Sequence, residues 1–143
     1  MPLLNYTTAV SVDKSISEIH RLLVRAGARQ IATEYDTNEQ PTAVGFLVDT
    51  AHGPRRFVLP VAADRVQAIL HKQKLAPRYT SAAHANRVAW RIIKDWLEAQ
   101  LALISTEMVT VDQIMLPYMR LDDGQTVYEL YLQQQLALPP ADR

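Results

Sequence analysis

Cysteine is missing altogether from this chain of 143 residues, glycine occurs four times, and the formal charges sum to zero. Without cysteine there is no disulfide framework, no thiol nucleophile and no thiolate metal site, and a reducing, cytoplasmic setting is expected. So few glycines leave little room for a phosphate-cradling loop, and neither GxGxxG nor GxxxxGK[ST] occurs. No apolar run approaches the ~20 residues that a membrane span requires. The opening Met1-Pro2-Leu3-Leu4-Asn5-Tyr6 lacks both a basic and a continuous apolar region, so no secretion signal is expected. What is abundant is apolar side chain: 48% of the residues, enough for a core in one domain.

Periodicity gives an outline. Tyr6, Thr8, Val10 and Val12 alternate with smaller or polar residues and predict a half-buried first strand. A helix follows, with Ser15-Ile16-Ser17-Glu18 read as its capping box and Ile16, Ile19, Leu22, Leu23 and Ala26 as its apolar face; Gly27 stops it. Strands are predicted at Arg29–Tyr35, Ala43–Asp49 and Arg56–Leu59, separated by turn-rich linkers. Ala62–Lys74 has helical spacing, and a break at Leu75–Tyr79 precedes the longest helix, from about Thr80 to Ile104. Ala85, Ala89, Ile92, Trp96, Ala99 and Leu103 form one apolar stripe on that helix, beside a second of Trp90, Ile93, Leu97, Leu101 and Ile104. So wide a face fits a helix packed on two sides, in a core or at a subunit contact, and on this ground a homo-oligomer is expected. A short element near Val111–Met119 is broken at Pro117; a turn at Asp122-Asp123-Gly124 leads to a last helix near Thr126–Gln134, capped by Thr126 and Glu129. The expected fold is therefore one α+β domain over residues 1–135: a four-stranded, mainly antiparallel β-α-β-β-β sheet with helices on one face, a helical C-terminal half, and a flexible tail at 136–143.

Charge is distributed unevenly. Residues 55–94 carry nine basic side chains (Arg55, Arg56, Arg65, Lys72, Lys74, Arg78, Arg87, Arg91, Lys94) against one acidic, Asp64. Residues 1–54 carry four against six, and residues 95–143 carry two against eight. A basic stretch with so few internal carboxylates attracts phosphate. Against this, charges spread over a strand, two helices and a loop need not share a surface, and Arg91–Asp95 and Lys94–Glu98 have the i,i+4 spacing of ordinary helix pairs.

Signals for chemistry are weak. The four histidines (His20, His52, His71, His84) lie far apart, without metal-ligand spacing. Asp122 and Asp123 read as turn residues rather than an opposed acid/base pair, Glu34 and Asp36 as a solvated strand face. No GxSxG elbow or SxxK arrangement is present. Catalytic residues, cofactors and metals are accordingly not expected. Among the aromatics, Trp90 lies between Arg87 and Arg91, where an indole could stack a base, though core packing suits it better. Arg78-Tyr79 offers the same cation-and-ring pairing in a loop, beside a helix start whose free N–H groups suit phosphate.

The segments Asn5–Thr8, Ser15–Asp36, Arg87–Ile104 and Met115-Leu116-Pro117-Tyr118-Met119 resemble small proteins of unassigned activity encoded by bacteriophages, prophages and other mobile elements. That resemblance implies a setting in a host cytoplasm, among genes that serve nucleic-acid metabolism or block host defences, and carries no residue roles. The leading expectation is a non-enzymatic accessory protein binding nucleic acid: Arg55, Arg56, Arg78, Arg87, Arg91 and Lys94 on phosphates, Tyr79 or Trp90 on a base. One rival is an inhibitor or oligomeric scaffold meeting a host protein through an apolar helical face. Another is a binder of a small anionic nucleotide between the sheet and the long helix.

Overall fold

The protein, a computed structural model that describes residues 1–134 and Ala141, is α+β, with five α-helices around a three-stranded antiparallel sheet. In chain order these are α1 (Val12–Arg25), β1 (Gln30–Tyr35), β2 (Pro41–Thr50), β3 (Gly53–Pro60), α2 (Ala63–Lys72), α3 (Ala82–Ser105), α4 (Val111–Met115) and α5 (Val127–Gln134). The predicted tail at 136–143 lies outside the described residues apart from Ala141. No helix among the described residues is long and apolar enough to cross a membrane.

The strand expected at residues 5–12 does not form. Asn5 adopts a left-handed backbone (φ 65°), and Tyr6 and Thr8 donate to Leu3 and Asn5 carbonyls in two successive tight turns. The segment is tied to the helices instead: Asn5 donates to Asp95 at 2.8 Å, and the Leu3 N–H donates to Gln73 at 2.9 Å. The alternation of Tyr6, Thr8 and Val10 is real in the sequence, but the N–H groups of Tyr6 and Thr8 are spent in these local turns. The place beside β3 goes to the far end of the chain, where Met119 bridges Phe57 and the Arg120 N–H donates to the Arg56 carbonyl at 2.8 Å.

Helix α1 also begins earlier than expected. Ser11, not Ser15, is the N-cap, its hydroxyl accepting from the Lys14 N–H at 3.1 Å. Ser15 is fully buried within the helix beside Ile19 and Leu23. Ser11→Ala should therefore cost about 1 kcal/mol of stability, read as a drop in urea midpoint at constant m-value. A loss under ~0.3 kcal/mol would mean that the cap is already replaced by water.

The three strands follow their apolar runs. In β2, Val44, Phe46 and Val48 point to the helices, and Phe57 and Leu59 of β3 and Val61 just after it do the same, with Phe46 and Phe57 stacked at 5.4 Å. Asp36 holds the β1–β2 turn by accepting from the N–H groups of Asn38 and Gln40 at 2.8 and 3.0 Å. At the other end of the chain, Thr110 with Gln113 and Thr126 with Glu129 form capping boxes for α4 and α5, the second as expected.

Helix α3 runs unbroken, as its long apolar pattern predicts, and lies between α1 and α2. Its two-stripe face is covered only in part: Ala85, Ala89, Trp90 and Leu97 are buried, whereas Ala99 and Leu103 near the C-terminal end are exposed. The buried set also differs from the one read from spacing. Ala85, Val88, Ala89, Trp90 and Leu97 are buried, whereas Ile92, Ile93 and Trp96 are half-buried. Trp90, with no exposure, is the anchor of the core, while Trp96 sits nearer its edge against Tyr118, ring centroids 6.0 Å apart.

Candidate anion-binding face

One face of the sheet is covered by helices; the other is open. Register places Gln30, Leu47 and Arg56 in one row across it, then Ala32, Gly45 and Val58 in the next. Small side chains in the second row leave a shallow groove whose lining includes Glu34, Arg56 and Arg120. Next to it, at the end of the sheet, lies an open cleft of about 1070 Å³. Arg29, Arg55, Arg56 and Arg120 all line this cleft, together with Asp122 and Asp123 of the following turn.

Each arginine is presented by a different device. Arg29 stands immediately before β1 and pairs with Asp49 at 3.0 Å; both side chains are more than half exposed. Arg120 reaches the site through the bridge to β3 and is held by the Gly124 carbonyl at 2.8 Å and by Glu34 at 3.5 Å. Arg55 donates to the Pro54 carbonyl at 3.0 Å. Arg56 is exposed, and among the described residues its side chain has neither an ion pair nor a hydrogen bond. Exposed ion pairs of this kind are worth ~0–1 kcal/mol, so Arg29 and Arg120 can exchange their carboxylates for a phosphate at little cost. Asp123 is already engaged with Gln125 through both carboxylate oxygens, at 3.1 and 2.6 Å.

The basic segment read from the sequence does not converge on one surface. Arg56 lies on the open face, whereas Arg55, paired with Val48, alternates to the other face and only lines the cleft at the end of the sheet. Arg78 and Tyr79 lie in a short 3-10 turn (Pro77–Tyr79), with the Arg78 guanidinium 4.8 Å from the Tyr79 ring centre. Tyr79 meets the edge of Tyr6 and the tilted ring of His84, each at 5.4 Å. His84 is buried between the Tyr6 carbonyl, which contacts Nε2, and the Arg87 guanidinium, 3.2 Å from Nδ1. A single tautomer, with the proton on Nε2, satisfies both contacts. Arg87 is thus used within the fold and half-buried rather than solvent-facing.

Arg91 and Lys94 are likewise spoken for. Arg91 turns to Glu18 of α1 at 2.6 Å and to the Ser15 hydroxyl at 3.3 Å, not to Asp95. Lys94 pairs with Glu98 at 3.3 Å, the spacing expected, and with Asp95 at 3.6 Å. Trp90 is sealed in the core, which removes it as a base-stacking residue. The two arginines that the sequence did not single out, Arg29 and Arg120, join Arg55 and Arg56 only through strand register and the Met119–Phe57 bridge.

The space between sheet and long helix, where a nucleotide pocket was conceivable, is filled. The residual cavity there, bounded by Leu23, Phe46, Val48, Leu101, Ile104 and Met115, measures about 10 Å³ and has no polar lining. Among the described residues, no three His, Asp or Glu side chains come together in a way that could hold a metal ion. No family model, curated protein or solved structure matches the chain.

Proposed function

We propose that this chain is a non-enzymatic accessory protein of a phage or mobile element, acting in the host cytoplasm and binding nucleic acid through its phosphates on the open face of the sheet. The observation that supports this reading is the meeting of Arg29, Arg55, Arg56 and Arg120 around one cleft, with Arg56 unpaired among the described residues. Guanidinium groups match phosphate oxygens in a two-pronged geometry, and an open cleft suits an extended chain better than a single nucleotide. No aromatic ring lines the cleft, so recognition by base stacking is not part of the reading. Binding should be sequence-tolerant and strongly salt-dependent, with a log–log slope reflecting a few phosphate contacts.

Fluorescence anisotropy with single- and double-stranded oligonucleotides, at two salt concentrations, tests this. Arg56→Glu should weaken binding about tenfold and reduce the salt slope by about one unit. Arg78→Glu, in the aromatic cluster around Tyr79 and outside the cleft, should change it far less. Absence of binding by the wild type at micromolar protein in low salt would end the nucleic-acid reading.

A specific observation favours one alternative, an inhibitor that binds a host protein. Tyr128, Tyr131 and Leu132 of α5 and the nearby Leu116 are each at least 40% exposed, and no residue of α5 is buried. An exposed aromatic and aliphatic patch of this kind is a feature of protein contact sites. Binding through it would respond little to salt, which separates the two readings.

A further inference from the structure

Strand β1 ends the sheet, and its outer edge is open. Among the described residues, β1 is hydrogen-bonded only to β2. The Glu34 carbonyl and the Asp36 N–H are both used on the β2 side, accepting from Thr42 Oγ1 and donating to the Gln40 carbonyl. Backbone groups alternate sides along a strand, so Ile31, Thr33 and Tyr35 turn their N–H and C=O groups to the open edge. None of those backbone groups makes a hydrogen bond outside the β1–β2 ladder among the described residues.

Edge strands are normally blunted by a lysine, a proline or a bulge that bends them away. Gln30-Ile31-Ala32-Thr33 has none of these, and the register shift at Glu34/Tyr35 places its extra residue, Thr42, on β2. The open side of β1 is left regular. We propose that this edge is a homodimer interface, in which β1 pairs antiparallel with β1 of a second copy about a two-fold axis at Thr33.

The register that uses all three open residues is self-complementary. Thr33 lies opposite its own symmetry mate, and Ile31 opposite Tyr35 of the second copy, an apolar–aromatic cross-strand pair. Tyr35, 62% exposed in the single chain, thereby gains a partner. On the other face Ala32 lies opposite Glu34, so no like charges are directly opposed, and each Glu34 keeps its own Arg120 at 3.5 Å. Six backbone hydrogen bonds would close the seam, one N–H from each of Ile31, Thr33 and Tyr35 in both copies. A strand from an unrelated protein could use the same backbone groups, but this side-chain match is a property of the sequence paired with itself. The dimer carries one continuous sheet with both open faces on the same side, and it stands whether or not that face binds nucleic acid.

The lack of cysteine makes the test direct. Thr33→Cys places the only thiol of each chain opposite its mate at ~5.5 Å between Cα atoms, within disulfide reach. Mild oxidation should convert most of this variant to a covalent dimer, whereas Ala68→Cys, on the exposed side of α2, should stay largely monomeric. Light scattering of the wild type should show a reversible dimer half-formed at roughly 100 µM, as suits a small interface. Tyr35→Lys should weaken it at least about tenfold. A wild type that keeps the mass of one chain at millimolar concentration, or cross-linking of Thr33→Cys no greater than of Ala68→Cys, would overturn the proposal.

Discussion

Replacing Trp90 by alanine should cost ~3–5 kcal/mol of folding stability, the largest loss expected from any single substitution in this chain. Trp90 has no solvent exposure and belongs to the cluster that joins Ile19 and Leu23 of α1, Phe46 and Phe57 of the sheet, and Leu97 one helical stretch further on. Truncation there removes the transfer energy of the indole and leaves a cavity walled by three separate elements, which cannot all move inward. Trp96→Ala should cost about 1–2 kcal/mol, because that ring is half-buried and packs chiefly against the core's rim. Trp90→Phe is the informative intermediate. The indole Nε1 has no hydrogen-bond partner among the described residues, so removing it offsets part of the lost area. Urea unfolding of the three variants checks the order; a cost below ~1 kcal/mol for Trp90→Ala would mean that the centre of the core lies elsewhere.

That order could not be read from helical spacing alone. Two apolar stripes run along α3, and nothing in the sequence says which of its neighbours, α1, α2 or the sheet, approaches which stripe. The length of α3 and its unbroken course were legible because they depend on local pattern, as were the three central strands and the capping box at Thr126. The cap of α1 was misread for a related reason. Ser11 and Ser15 are both reasonable cap residues, and the choice between them falls to burial: Ser15 is drawn into the α1–α3 contact, where Arg91 meets its hydroxyl.

The open face illustrates a second limit. A charge count along the chain finds blocks, whereas a surface is assembled from register. Arg55 and Arg56 were visible within the basic block, yet their companions Arg29 and Arg120 come from segments that are acidic overall. Only the antiparallel pairing of Gln30 with Leu47 and of Leu47 with Arg56 brings Arg29 near, and only the contact of Arg120 with the Arg56 carbonyl adds the fourth. The first strand, expected from the sequence and absent from the fold, belongs to the same class of error. Alternation is a necessary condition for a strand but not a sufficient one: Asn5 takes a left-handed backbone, and Tyr6 and Thr8 spend their N–H groups in local turns.

Arg91→Ala should destabilise the fold by about 2–3 kcal/mol, although arginine on a helix is ordinarily a surface residue of small effect. Its guanidinium bridges α3 to α1 through Glu18 at 2.6 Å and Ser15 at 3.3 Å, with side-chain exposures of only 13% for Arg91 and 23% for Glu18. Removing the cation strands a partly desolvated carboxylate and leaves the buried Ser15 hydroxyl without this contact. Glu18→Ala should cost a similar amount, since it strands the guanidinium instead. In a double-mutant cycle the pair should show a coupling energy of about 1–2 kcal/mol. The exposed Arg29–Asp49 pair, with side-chain exposures of 55% and 64%, should give ~0–1 kcal/mol in the same cycle and lose most of it in high salt. Arg91→Glu would place two carboxylates where one cation is needed, so a loss of nucleic-acid binding in that variant would report unfolding rather than a lost phosphate contact. Equal coupling in the two cycles, or an Arg91→Ala variant as stable as the wild type, would show that the α1–α3 contact is held by its apolar side chains alone.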